Sequence, residues 1–90
     1  MEKRVKFIVK GFVQGVGYRF FTYTNAIKLN LKGYVKNLYD GDVEVVVEGP
    51  EENIEQLRLL LLQGPSRSIV KNVITEELKY TGSFDEFFIY

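Results

Sequence analysis

The sequence predicts an α+β sandwich in the order βαββαβ, with two helices on one face of an antiparallel sheet and a short strand added at the end. Three observations lead there. Two stretches with helical apolar spacing alternate with β-rich runs along the chain. An Asp40-Gly41 pair sits between the second and third of those runs and marks a tight hairpin. Ninety residues, finally, allow one core and no second one, since a chain of this size buries roughly 60–65% of its unfolded surface.

The elements follow in order. Val5 to Phe12 is β-rich and roughly alternating, a strand. In Val13-Gln-Gly-Val-Gly-Tyr18, Gly15 and Gly17 permit backbone angles closed to other residues. From Arg19 to Leu29 the apolar positions Phe20, Tyr23, Ala26 and Ile27 recur at helical spacing, and Asn30 falls where a helix ends in the left-handed conformation. Gly33 to Tyr39 is a second strand, closed by a two-residue turn at Asp40-Gly41. Val43 to Glu48 is a third, with Val43, Val45 and Val47 on one face and Glu44, Val46 and Glu48 on the other, open one. Pro50 suits the first turn of a second helix, Glu51 and Glu52 favour its positive end, and Ile54, Leu57 and Leu61 mark its buried stripe. Gly64-Pro65 stops it. Ser68 to Leu78 reads as a fourth strand and Phe87 to Tyr90 as a short edge strand. Two right-handed βα crossovers then interlock around one sheet, the ferredoxin-like arrangement, as a single domain over residues 1–90. That fold serves many functions, so the function must be sought in a site.

Composition narrows the chemistry. Twelve basic and twelve acidic residues balance, which argues against a nucleic-acid binder. There is no Cys, hence no disulfide and no thiolate nucleophile. There is no His, so the usual general base near neutral pH and the commonest transition-metal ligand are both missing. No run approaches a membrane span, and Met-Glu-Lys-Arg leads into an alternating strand instead of an apolar signal segment. A cytoplasmic monomer is the expectation.

Topology points to one place for a site. The first two strands run parallel with the third between them, so their carboxyl ends lie together, about 9.6 Å apart. The Gly15–Arg19 loop leaves the first strand there and Asn37 lies near the end of the second. Backbone N–H groups in a glycine-relaxed turn, followed by a helix N-terminus, suit an anion. Arg19 adds a planar fork matched to two phosphate oxygens, and Lys10 and Lys36 stand close enough in sequence to raise the local potential. The glycines alone are weak, since they form neither a dinucleotide fingerprint nor a P-loop. A lone Arg after a strand is ordinarily a solvated residue, and a lone Asn before a hairpin is ordinarily structural.

The surrounding blocks change that reading. Lys10-Gly-Phe-Val-Gln-Gly-Val-Gly-Tyr-Arg19 resembles the acylphosphatase signature, and Gly33-Tyr-Val-Lys-Asn-Leu-Tyr-Asp-Gly-Asp-Val-Glu44 resembles that family's second block. Glu48-Gly49, Gly64-Pro65 and Phe87 to Tyr90 fit as well, so the resemblance spans nearly the whole chain. It implies metal-independent hydrolysis of the carboxyl–phosphate bond of small-molecule acyl phosphates, without a cofactor. It further implies that Arg19 binds the phosphoryl group, that Asn37 orients the attacking water, and that the backbone of Gln14, Gly15, Val16, Gly17, Tyr18 and Arg19 forms the phosphate cradle. Two turn positions depart from the family pattern, Asn30 for the usual Gly and Tyr39 for a frequent Pro. Tyr18 has two expected roles, bordering the pocket or packing, while Phe20, Phe21 and Tyr23 are expected in or beside the core.

Two rivals belong to other classes. An RNA-recognition module shares the βαββαβ order, but would need base-stacking aromatics where this third strand has Glu44, Val46 and Glu48. A regulatory domain that lost catalysis would not be expected to keep both Arg19 and Asn37.

Overall fold

The structure, a computed structural model describing residues 1–90, runs β1 (Glu2–Phe12), α1 (Tyr18–Lys28), β2 (Lys32–Asn37), β3 (Val43–Pro50), α2 (Glu51–Gln63), β4 (Ile69–Leu78) and β5 (Phe87–Ile89). The strands form one five-stranded sheet in the order β4-β1-β3-β2-β5. β3 pairs antiparallel with both β1 and β2, so β1 and β2 run the same way, as the topology argument required.

The sheet is mixed and not purely antiparallel, because β5 pairs parallel with β2. The cause is the route between β4 and β5. Leu78, the last residue of β4, lies opposite Arg4 at the start of β1. The chain must cross the sheet at that end to reach the far edge, where Phe87 pairs with Gly33 at the start of β2. From there it can only run alongside β2.

Fifteen residues form the core, with Phe7 and Val9 of β1, Val35 of β2 and Val43, Val45 and Val47 of β3 completely buried on the helix side of the sheet. α2 buries the expected Ile54, Leu57 and Leu61. α1 buries Tyr18, Thr22 and Ala26, one residue per turn, and leaves Phe20 and Ile27 exposed. Hydrophobicity misplaced this stripe because its middle position is a threonine, whose hydroxyl is satisfied by the Tyr18 carbonyl at 3.0 Å. Phe20 stacks instead on Tyr23, which in turn packs on Phe87.

α1 ends at Asn30 (φ 56°), where Asn30 N–H donates to the Ile27 carbonyl and Leu31 N–H to the Ala26 carbonyl. These two bonds make a Schellman closure, with Asn taking the place glycine commonly fills. The β2–β3 connection is longer than two residues. Leu38 N–H still reaches the Asp42 carbonyl, a turn closes by Gly41 N–H to the Leu38 carbonyl, and Gly41 follows in the left-handed region (φ 97°). That is the three-residue hairpin with a glycine bulge.

The face of the sheet away from the helices is less open than expected. Val46 and Glu48 are buried there, Glu48 beneath the crossing segment 79–86. Glu48 Oε2 accepts from the Thr81 and Gly82 backbone N–H, the Thr81 hydroxyl and Arg4 Nη1. Burial by itself would raise the Glu48 pKa, but these four donors outweigh it and hold the carboxyl below its usual range. The Arg4 guanidinium lies 4.6 Å from the Phe84 ring centre, closing the cover.

Candidate active site

Beyond Phe12 the chain leaves the sheet through two left-handed glycines, Gly15 (φ 75°) and Gly17 (φ 82°), and α1 begins at Tyr18. Gly17 occupies the N-cap position, and no side chain caps the helix. Every backbone N–H from Gln14 to Phe20 lacks an acceptor within the chain. Open space lies beside both glycines, so a Cβ there would meet no neighbour, and it is the backbone conformation that calls for glycine. The outcome is a row of unpaired donors at the positive end of an 11-residue helix.

β2 contributes the second half. Val35 faces the core, and two residues on, Asn37 comes out on the same side at the end of the strand, opposite Val43. Its Oδ1 is buried and has no hydrogen-bond partner. A buried acceptor without a donor is uncommon in a folded protein and singles Asn37 out among the side chains of the strand.

Arg19, Asn37, Gly15, Gly17 and Tyr18 line one cavity of about 330 Å³. Arg19 is exposed, and its Nη1 donates to the Tyr90 backbone oxygen at 2.6 Å. Phe20, Ile89 and Tyr90 form an apolar side of the same cavity. None of these three was foreseen as lining it. The parallel run of β5 beside β2 is what carries Tyr90 to this end of the sheet, and only the direction of that strand could have revealed it.

The remaining expected residues lie elsewhere. Val16 packs, half-buried, against the core. The Gln14 side chain turns to the hairpin, where Nε2 donates to the Leu38 and Asp42 carbonyls at 2.8 and 2.9 Å. Tyr18 packs as well as lines: its ring is buried and its hydroxyl donates to the Leu61 carbonyl at 2.6 Å. Burial pushes the phenol pKa far above its ordinary value. Lys10 and Lys36 do not serve the cavity. Both point to the opposite face of the sheet, where Lys10 Nζ meets Asp42 Oδ2 at 2.6 Å and Lys36 Nζ lies 3.8 Å from Glu44. The hydrogen bond and charge of Asp42 raise the Lys10 pKa. A second cavity, about 270 Å³ between α2 and the β1–β4 edge, has its charges already matched, Lys3 with Glu51 and Glu77, and Arg58 with Glu55.

Comparison with known proteins places this architecture. The family profile described as acylphosphatase matches residues 5–89. The chain belongs to the acylphosphatase family. Membership carries the enzymatic activity, hydrolysis of acyl phosphates. The chain is 44% identical over 90 residues to the acylphosphatase of Caldanaerobacter subterraneus subsp. tengcongensis, covering all of both chains. It is 49% identical over 75 residues to the acylphosphatase of Vibrio parahaemolyticus, covering 83% of each. The crystal structure of acylphosphatase from Bacillus subtilis superposes with a TM-score of 0.94 at 36% identity, over 100% of this chain and 99% of that one. The ferredoxin-like fold is therefore that of acylphosphatases of the same length. No helix of the chain is long and apolar enough to cross a membrane.

Proposed function

We propose that this acylphosphatase holds the phosphoryl group of its substrate on the Gln14–Arg19 backbone donors and the Arg19 guanidinium, while Asn37 places the attacking water. One observation carries the reading: Gly15, Gly17 and Tyr18 of the unpaired amide row, the Arg19 side chain and Asn37, whose buried carboxamide oxygen has no partner, line a single cavity. The Tyr90 oxygen holds one arm of Arg19, which leaves the rest of the fork pre-set for phosphate oxygens.

The chemistry asks little more. The leaving carboxylate has a conjugate-acid pKa of about 4, as a Glu side chain does, so it departs without a proton. The water oxygen forms the new bond to phosphorus as the bond from phosphorus to the acyl oxygen breaks, and the electron pair leaves with the carboxylate. The water proton passes to a phosphoryl oxygen of the substrate. Catalysis is then positioning plus charge stabilisation, both available without a His or Cys.

The test is hydrolysis of acetyl and benzoyl phosphate, with and without a chelator. Asn37→Ala is expected to abolish most turnover while the inhibition constant of inorganic phosphate stays within about twofold. Arg19→Ala is expected to cost at least ~10²–10³-fold in turnover. Near-normal hydrolysis by Arg19→Ala would refute the assignment, as would a rate that vanishes with the chelator.

A further inference from the structure

We infer that the Gln14 side chain is a positioning residue for Asn37: by clamping the β2–β3 hairpin to the cradle loop it sets where the water-holding carboxamide stands. The inference rests on the reading of Asn37 given above. Its starting point is that Gln14 belongs to the loop whose backbone faces the cavity, yet its side chain reaches residues 24 and 28 positions further on. The group facing the Leu38 and Asp42 carbonyls must be the NH₂ end of the amide, since only that end can donate to two acceptors at once.

Neither carbonyl needs Gln14 for its own sake. The Asp42 carbonyl already accepts from Leu38 N–H, and the Leu38 carbonyl from Gly41 N–H. The hairpin is also closed internally by Asp42 N–H to Asp40 Oδ1 at 3.0 Å. What the two extra bonds add is a tie between separate parts of the fold. They fix Leu38, the residue directly after Asn37, against Gln14, a member of the unpaired amide row. Asn37 Oδ1 has no protein partner to hold it, so the carboxamide is located through its backbone. An Asn37 shifted by a fraction of an ångström would still fit the cavity but would aim its water off the line of attack, and in-line geometry is what this reaction depends on.

The experiment compares Gln14→Met, which keeps length and volume but donates nothing, with Gln14→Asn, which keeps the amide but falls one methylene short. Benzoyl phosphate kcat, KM, the inhibition constant of inorganic phosphate and the thermal midpoint are measured for each, alone and combined with Asn37→Ala. Both variants are expected to lose between roughly 10- and 100-fold in kcat while phosphate inhibition stays within about twofold. On the Asn37→Ala background neither is expected to lower kcat by more than about twofold, because the residue through which Gln14 acts is gone. If one variant fails to fold, the other carries the same comparison. An unchanged kcat in the folded variants overturns the inference, as does a phosphate inhibition constant that rises in step with the loss in kcat, or a full loss persisting without Asn37. An Asn37→Ala enzyme with undiminished turnover sinks the water-placing reading and this inference together. Loss in Asn37→Ala with none in either Gln14 variant sinks the inference alone.

Discussion

Replacing Arg19 by lysine keeps the charge and removes the geometry, which makes it the sharpest probe of the site. The guanidinium has five N–H donors spread over three nitrogens. One nitrogen, Nη1, is committed to the Tyr90 oxygen at 2.6 Å, and the others remain free towards the cavity. A lysine concentrates its donors on one nitrogen at the end of a flexible stem. It can sit at the Tyr90 oxygen or at the phosphate, but it cannot hold the first while forking two oxygens of the second. The loss amounts to at least one charge-assisted hydrogen bond, about 1.5–3 kcal/mol. That corresponds to roughly 10–150-fold in kcat/KM. The assay is steady-state hydrolysis of benzoyl phosphate with phosphate as competitive inhibitor. Weaker phosphate inhibition should accompany the loss, because the proposed fork would grip the product phosphate as well as the phosphoryl group in transit. Arg19→Lys within about threefold of wild type in kcat/KM would show that a point charge suffices and that the anchored fork is irrelevant.

Two further predictions concern the frame. Tyr18→Phe removes the donor to Leu61, a carbonyl in the last turn of α2 with no partner inside the helix. The expected cost is about 1–2 kcal/mol, a fall in Tm of roughly 4–16 °C for a domain of this size, with phosphate inhibition unchanged; an unaltered Tm would refute it. Glu48 has a folded pKa held below its unfolded value, so its contribution to stability is complete above the unfolded pKa of about 4.3 and is lost as pH falls through the folded one. Urea midpoints should therefore show Glu48→Gln less stable than wild type at pH 7, with the gap narrowing below about pH 4; a gap independent of pH would contradict the carboxylate's role.

Much of the fold is written in local patterns. Alternating valines fix which side of β3 meets the helices, and Ile54, Leu57 and Leu61 fix the buried side of α2. The Gly15–Arg19 loop and Asn37 could be brought together from strand directions alone, since β1 and β2 must be parallel when β3 lies between them. The parts that escaped the sequence are decided by long-range contacts. β5 is three residues long and carries no sign of its direction, which the crossing of residues 79–86 imposes from outside. Glu48 reads as a solvated face until Thr81, Gly82 and Arg4 close over it. Gln14 reads as a member of a phosphate loop, and nothing short of the fold shows its amide crossing to the hairpin.

β5 touches β2 over only Gly33 to Val35, yet beyond it lies the oxygen that steadies Arg19. A short strand at the margin of a sheet opens more readily than the interior does. Such an opening would uncover Phe87 and free the arginine while the valines of β1, β2 and β3 stay packed. With Arg19 in the role proposed above, activity is less robust than the architecture: warming or mild denaturant should silence hydrolysis while most of the molecule is still folded.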